Sequence, residues 1–280
     1  MIVPAPPNSG QILLLAAAIL LFIAGNIASL ARIRRDRNAL RIAAKSLDYF
    51  AICLVLLSLA WHAASRGGWF PIEDNFEAIA SIGVMLAVFN MYIQRRRPIP
   101  GLDWFLMPIV VLLLISAAIF GKAKPDTYRT DSLWSWTHRL SSYGGALAFA
   151  IAAAVGTMYL IVSARLRDKR ASAGPALGSL ERLEHVTQSA AILGFAMLTL
   201  GMVTGLIIII HDGSHTMLGP HWMQSPKVIL AFSVWIVYAF ALHTPMNPAI
   251  RGRKSAMLSI LGFVLMFGTI IAVQFMPRGR

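Results

Sequence analysis

The 280-residue chain is too apolar for a soluble globular domain, because 57% of its residues are hydrophobic and only 13% are charged. Its formal net charge of +13 would also suit a nucleic-acid-binding protein, but anionic lipid and membrane topology produce the same excess in polytopic proteins. We therefore expect an integral membrane protein in contact with lipid and no nucleic-acid partner. With Cys53 as its single cysteine, the chain cannot form an internal disulfide or a multi-thiolate metal site.

Eight apolar runs predict transmembrane helices, since about 20 apolar residues in a helix span the hydrocarbon core of a bilayer. The first run lacks a basic leading segment and is longer than the apolar core of a secretory signal peptide, so we interpret it as a helix. The predicted fold class is an all-α polytopic membrane helix bundle, with residues 1–280 as one integral membrane domain. The predicted helices cover residues 12–31, 47–65, 78–93, 104–120, 141–164, 185–210, 228–243 and 256–275.

The distribution of basic residues predicts the orientation of these helices. Most Lys and Arg residues fall in the connections between helices one and two, three and four, five and six, and seven and eight. Short cytoplasmic loops are enriched in Lys and Arg. Both chain termini are therefore expected outside.

Four histidines lie near the ends of the apolar runs, whose interiors contain no Lys, Arg, Asp or Glu. Histidine is therefore expected to be almost the only ionisable residue type within the bilayer. His62 and His138 are predicted at the outer face, and His185 and His243 at the inner face. Such residues are functional-site hypotheses by default, and histidines at one level on two helices can ligate haem iron. Alternatively, each histidine bonds a carbonyl at a helix end.

The outer connections carry aromatic residues and further histidines. The tryptophans of residues 134–136 are expected to anchor the chain at the interface, with a haem-contacting platform as the alternative. The spacing of His211 and His215, followed by His221, allows a surface zinc or copper site. The turn predicted at residues 212–213 disfavours that site.

A series of short motifs begins just before His138. These motifs are Thr137–Tyr143, Gly156–Leu160, Ser179–His185, Leu198–Gly205, Pro226–Lys227, Trp235–Tyr238, Leu242–His243, Arg251–Arg253, Ala256 and Gly262–Phe263. Their order and spacing resemble the haem-handling cytochrome c assembly proteins of the CcsA, ResC and HemX type. The resemblance spans most of the chain and is closest to the compact, eight-helix HemX-like branch.

The resemblance implies roles for individual residues. His138 is similar to the external haem-ligand histidine of the family, and His243 to the membrane-embedded one. The family's tryptophan-rich loop ends in Trp-Asp-Pro-Lys, whereas residues 222–227 have Gln224 and Ser225 in place of one tryptophan and the acid. The final external histidine of the family is also missing. These departures argue against full cytochrome c synthase activity and leave haem binding open.

We therefore expect a membrane haem-binding protein that acts in cytochrome c assembly by delivering or presenting haem at the outer face of the membrane. The cofactor would be haem b, bound non-covalently and transiently. The resemblance implies a second membrane subunit and apocytochrome c as partners, and a bacterial cytoplasmic (inner) membrane or an equivalent energy-transducing membrane as the location. The residues assigned to haem are His62 and His138 for an outer group, His185 and His243 for an inner group, Trp222 for the porphyrin face and Lys227 for a propionate.

Two other functions remain open. A b-type cytochrome subunit of a membrane electron-transfer complex would hold haem tightly at both levels. A haem-free membrane scaffold or regulator would keep the fold without binding haem. The chain has no recognisable nucleophile constellation, P-loop or dinucleotide fingerprint, so no catalytic residue is predicted and enzymatic activity is left open.

Overall fold

The computed structural model describes residues 7–31, 38–65, 74–121, 132–167, 177–211, 222–224, 226–243 and 252–275. These residues form an all-helical protein. The helices are α1 Ser9–Ala31, α2 Asn38–Ser65, α3 Asn75–Arg96, α4 Asp103–Phe120, α5 Leu133–Arg167, α6 Leu180–His211, α7 Pro226–His243 and α8 Arg253–Phe275, with a short 3-10 helix at Trp222–Gln224.

The helices have the length and composition of membrane spans. Within the described segments, seven are long and apolar enough to cross a bilayer, and the apolar part of α7, Val228–Leu242, is shorter. Their outer surfaces carry large exposed hydrophobic side chains such as Leu20, Phe50 and Phe240, each about two-thirds exposed. Apolar surface of this extent suits lipid rather than water. The predicted membrane helix bundle is confirmed at this level.

Several helices begin earlier than the apolar pattern indicates, because a helix continues through a polar turn when its end is capped. In α3, the side chain of Asp74 accepts a hydrogen bond from the backbone N–H of Glu77 at 2.8 Å. Glu77 is consequently helical and fully buried, Asp48 lies within α2, and buried Arg139 lies within α5. These helices therefore carry ionisable residues besides histidine, and the expectation that histidine is almost the only ionisable residue type within the bilayer stays a prediction.

The chain divides into two compact units. The first contains Met1–Asp126 and Ala173–Gly178. In it, α1 packs against α2 and α4, and α3 packs against α4 and α2. The expectation that residues 1–280 form one integral membrane domain stays a prediction. Fully buried apolar side chains fill the interior of this unit, including Leu15, Phe22, Phe76, Ile79, Leu86, Leu106 and Leu114.

The second unit contains Thr127–Ser172 and Ser179–Arg280, with α5 packed against α6 and α8, and α7 packed against α8 and α6. Phe149 of α5 stacks on Tyr238 of α7 with ring centroids 3.6 Å apart, and the Tyr238 hydroxyl donates to the carbonyl of Ser259 in α8 at 3.0 Å. A side chain at Gly194 of α6 or Gly262 of α8 would run into one of these rings. The two glycines therefore permit the close packing that holds α5 in place.

Candidate functional site

His138 lies in the second turn of α5, where its half-buried side chain contacts α6. Its ring Nδ1 is 2.7 Å from the carbonyl oxygen of Gly201. A carbonyl oxygen only accepts hydrogen bonds, so Nδ1 must carry the proton. In the neutral imidazole, Nε2 then holds the lone pair. Histidines that ligate metals commonly donate their other ring N–H to a carbonyl in this way, which fixes the tautomer and the ring orientation.

Gly205 gives the His138 ring room beside α6. A β-carbon at residue 205 would lie 3.0 Å from Cε1 and 3.1 Å from Nδ1 of His138. Distances this short would force the ring to move. The segment Leu198–Gly205, one of the motifs in the resemblance, thus supplies both the hydrogen-bond acceptor and the space for the ring.

Four other predicted site residues lie in different parts of the second unit. His185 lies on α6 with an exposed side chain, about 24 Å along the helix axis from Gly201 at 1.5 Å per residue. His243 is the last residue of α7, Trp222 begins the 3-10 helix, and Lys227 is the second residue of α7. His138 and His185 are therefore not brought together, and their assignment to two membrane levels stays a prediction. Of the histidines considered for a surface metal site, His211 is the last residue of α6, and His215 and His221 lie outside the described residues.

His62 lies near the end of α2 in the first unit, within a buried polar cluster. Its side chain is 1% exposed, and Nε2 is 2.7 Å from Oδ2 of Asp74. The Phe76 ring packs against the imidazole in an edge-on geometry, with centroids 5.1 Å apart. Glu77 completes the cluster, because the three residues place one ligand atom each within 4.8 Å of one another. Among the residues that the structure describes, this is the only such group of three His, Cys, Asp or Glu side chains.

Gln11 of α1 holds the other side of the His62 ring. Its Oε1 is 3.1 Å from His62 Nδ1 and also accepts from the backbone N–H of Asn8 at 2.9 Å. In return, the Asn8 side chain accepts from the backbone N–H of Gln11 at 2.9 Å, forming a capping box. Because an amide oxygen only accepts, His62 Nδ1 is the donor. Haem ligation by His62 would require Nε2 to separate from Asp74.

Sequence reasoning missed Asp74, Glu77 and Gln11, since their positions were interpreted as loop and helix-end residues. The spacing Asp74-Asn-Phe-Glu77 is a capping signature that marks the true start of α3. That signal would have placed Asp74 at the N-cap and Glu77 in the first turn of α3. It would not have shown that they meet His62.

Comparison with known proteins identifies the family. The family model described as "Cytochrome C assembly protein" matches residues 42–279. The cytochrome c biogenesis protein CcsA of Prochlorococcus marinus is 23% identical over 246 residues, covering 76% of this chain and 75% of CcsA. CcsA of Mesostigma viride is 21% identical over 252 residues, covering 80% of each chain.

A solved structure shares the fold. The "Cytochrome c Heme Lyase CcmF" superposes with a TM-score of 0.64 at 17% identity over 93% of this chain. This chain spans about half of that protein, since the match covers 46% of it. The likeness therefore concerns the fold. Because the family model covers most of the sequence, we conclude that this integral membrane protein belongs to the cytochrome c assembly protein family.

Proposed function

We propose that the protein binds haem b non-covalently and presents it at the outer face of the bacterial cytoplasmic (inner) membrane during cytochrome c assembly. The observation that carries the proposal is the hydrogen bond from His138 Nδ1 to the Gly201 carbonyl. This bond assigns the lone pair of the neutral ring to Nε2, as in histidines that ligate metals. His138 would supply an axial ligand through Nε2, and Gly205 would keep the ring oriented.

The charge pattern supports an outer location for this ligand. With the Lys- and Arg-rich connections in the cytoplasm, both termini lie outside and α5 begins at the outer face. His138 then lies near the outer surface, and His185 and His243 lie toward the inner one. The inner histidines would hold haem before it reaches the outer level, as an escort across the membrane requires.

In the proposed topology, α6 ends and α7 begins at this same outer side. Trp222 and Lys227 precede the inward course of α7, so Trp222 would cover the porphyrin face and Lys227 would pair with a propionate. A second membrane subunit would share this surface, and apocytochrome c would receive the haem. The altered tryptophan-rich loop, with Gln224 and Ser225, favours the HemX-like branch over a full synthase.

His62 as the second outer ligand stays a prediction. Its ring would have to give up the contact between Nε2 and Asp74 before it could reach iron. Replacement of His62 therefore tests that assignment separately from His138.

Haem exchange tests the proposal against a b-type cytochrome. Purified protein loaded with haem would be mixed with an excess of apomyoglobin, and the rate of haem capture would be followed by absorbance. A presenting protein releases its haem to the acceptor within minutes, and His138→Ala starts with less haem. Haem that stays bound for many hours at two per chain would instead support the electron carrier, and failure to load haem would support the haem-free scaffold.

A further inference from the structure

The cluster of His62, Asp74 and Glu77 has the donor set of a metal site. One ring nitrogen and two carboxylates place their ligand atoms within 4.8 Å of one another. His62 Nε2 and Asp74 Oδ2 are 2.7 Å apart, whereas two tetrahedral ligands at about 2.0–2.2 Å from one ion are about 3.3–3.6 Å apart. A small shift of these side chains would admit an ion between them.

The surroundings orient these donors before any ion enters. Gln11 Oε1 accepts from His62 Nδ1, which directs Nε2 toward the carboxylates. Asp74 is held in turn, because its Oδ1 accepts the backbone N–H of Glu77 and leaves Oδ2 facing the imidazole. Carbonyl groups that fix a ligating histidine in this manner are the usual outer shell of a metal site.

Burial of the cluster adds an electrostatic reason for a cation. His62 is 1% exposed, Asp74 4% and Glu77 0%. Withdrawing two carboxylates from water costs hydration free energy, and nearby positive charge or protonation offsets this cost. A divalent ion would supply positive charge beside Asp74 and Glu77, and it would replace the hydrogen bond between His62 and Asp74.

We propose that His62, Asp74 and Glu77 bind a divalent transition-metal ion of the zinc type. The imidazole nitrogen favours such an ion over calcium or magnesium, which prefer all-oxygen sites. Three protein ligands leave one tetrahedral position for water. The ion would join the end of α2 to the start of α3, with Gln11 connecting α1. An ion on His62 Nε2 would exclude His62 as a haem ligand, whereas haem ligation by His138 does not depend on this site.

Cobalt(II) is a direct probe of this site, because its visible absorption bands report coordination by nitrogen and oxygen. The full chain would be purified in mild detergent without a polyhistidine tag, freed of metal with a chelator and titrated with Co²⁺. We expect one Co²⁺ per chain, displaced by Zn²⁺. Glu77→Gln and Asp74→Asn should each weaken the Co²⁺ Kd at least about tenfold, and Gln11→Leu about 10–100-fold through loss of ring orientation.

Matched controls separate the site from general effects. Glu181→Gln removes an exposed acid in the first turn of α6 and should leave Co²⁺ binding unchanged. Asp74→Asn retains a good helix cap, and helix content measured by circular dichroism checks the fold of every variant. Where a variant fails to fold, a second measurement tests whether the cluster binds metal. Zn²⁺ should raise the Tm of the wild-type protein, and this rise should be lost in Gln11→Leu.

Two results would overturn the proposal. One is a wild-type protein that shows neither the cobalt spectrum nor a Zn²⁺-dependent rise in Tm. The other is Co²⁺ binding that is unchanged in Glu77→Gln and Asp74→Asn. If that binding is lost in His215→Ala, the Co²⁺ ion is bound by the loop histidines instead.

Discussion

His138 Nδ1 donates a hydrogen bond to the carbonyl oxygen of Gly201 at 2.7 Å, joining α5 to α6. The acceptor is a backbone atom, so its position depends on the path of α6 rather than on a side-chain rotamer. The ring of His138 is accordingly held by the packing of two long helices. Such support from rigid elements is what an accurately placed ligand needs.

Gly205→Ala should displace the His138 ring, because the new methyl group would lie about 3 Å from two ring atoms. We expect haem affinity to fall about tenfold or more and the reduced-state absorption maximum to shift. Spectral titration of the purified variant with haem measures both effects. Gly268→Ala is the matched control, since a β-carbon there meets nothing within 4 Å. Equal haem affinity in the two variants would show that Gly205 does not position the ring.

Tyr238→Phe should destabilise the second unit, because the hydroxyl of this fully buried residue donates to the Ser259 carbonyl. The loss of one buried hydrogen bond lowers the free energy of unfolding by about 1–2 kcal/mol. Tyr92→Phe, at a side chain that is 60% exposed, should change it by less than about 0.5 kcal/mol. Reversible unfolding in mixed detergent measures the difference. A Tyr238→Phe protein as stable as Tyr92→Phe would contradict the role given to this contact.

Cysteine labelling tests the predicted orientation. In a Cys53→Ala background, Ser172→Cys is expected in the cytoplasm and Ser214→Cys outside, as the basic connections predict. A membrane-impermeant maleimide added to intact cells should label only Ser214→Cys, and both variants should react once the membrane is permeabilised. Labelling of Ser172→Cys alone in intact cells would reverse the topology and place His138 at the inner face.

The sequence predicted the approximate positions of the described helices, because apolar runs of this length have few alternatives in a membrane protein. Helix ends were less accurate. The predicted third helix begins at residue 78, but capping by Asp74 carries α3 back to Asn75. The early start of α5 at Leu133 likewise places His138 inside the helix.

The candidate site could be predicted only in part. His138 was identified from its position and family motif, but its partner Gly201 lies 63 residues away and depends on helix packing. The meeting of His62 with Gln11, 51 residues apart, is equally a tertiary contact. A periodic sequence pattern does not show which faces of two apolar helices will touch, since the different faces of each helix contain similar residues.

Ligation of haem by His138 is tested most directly by the absorption spectrum of the purified protein. Wild-type protein, His138→Ala and Gly268→Ala would be expressed with ample haem, purified in mild detergent and measured in oxidised and reduced states. We predict a low-spin haem signal in wild-type and Gly268→Ala protein and its loss, or a change to high spin, in His138→Ala. An unchanged low-spin spectrum in His138→Ala, or no haem in the wild-type protein, would contradict the account.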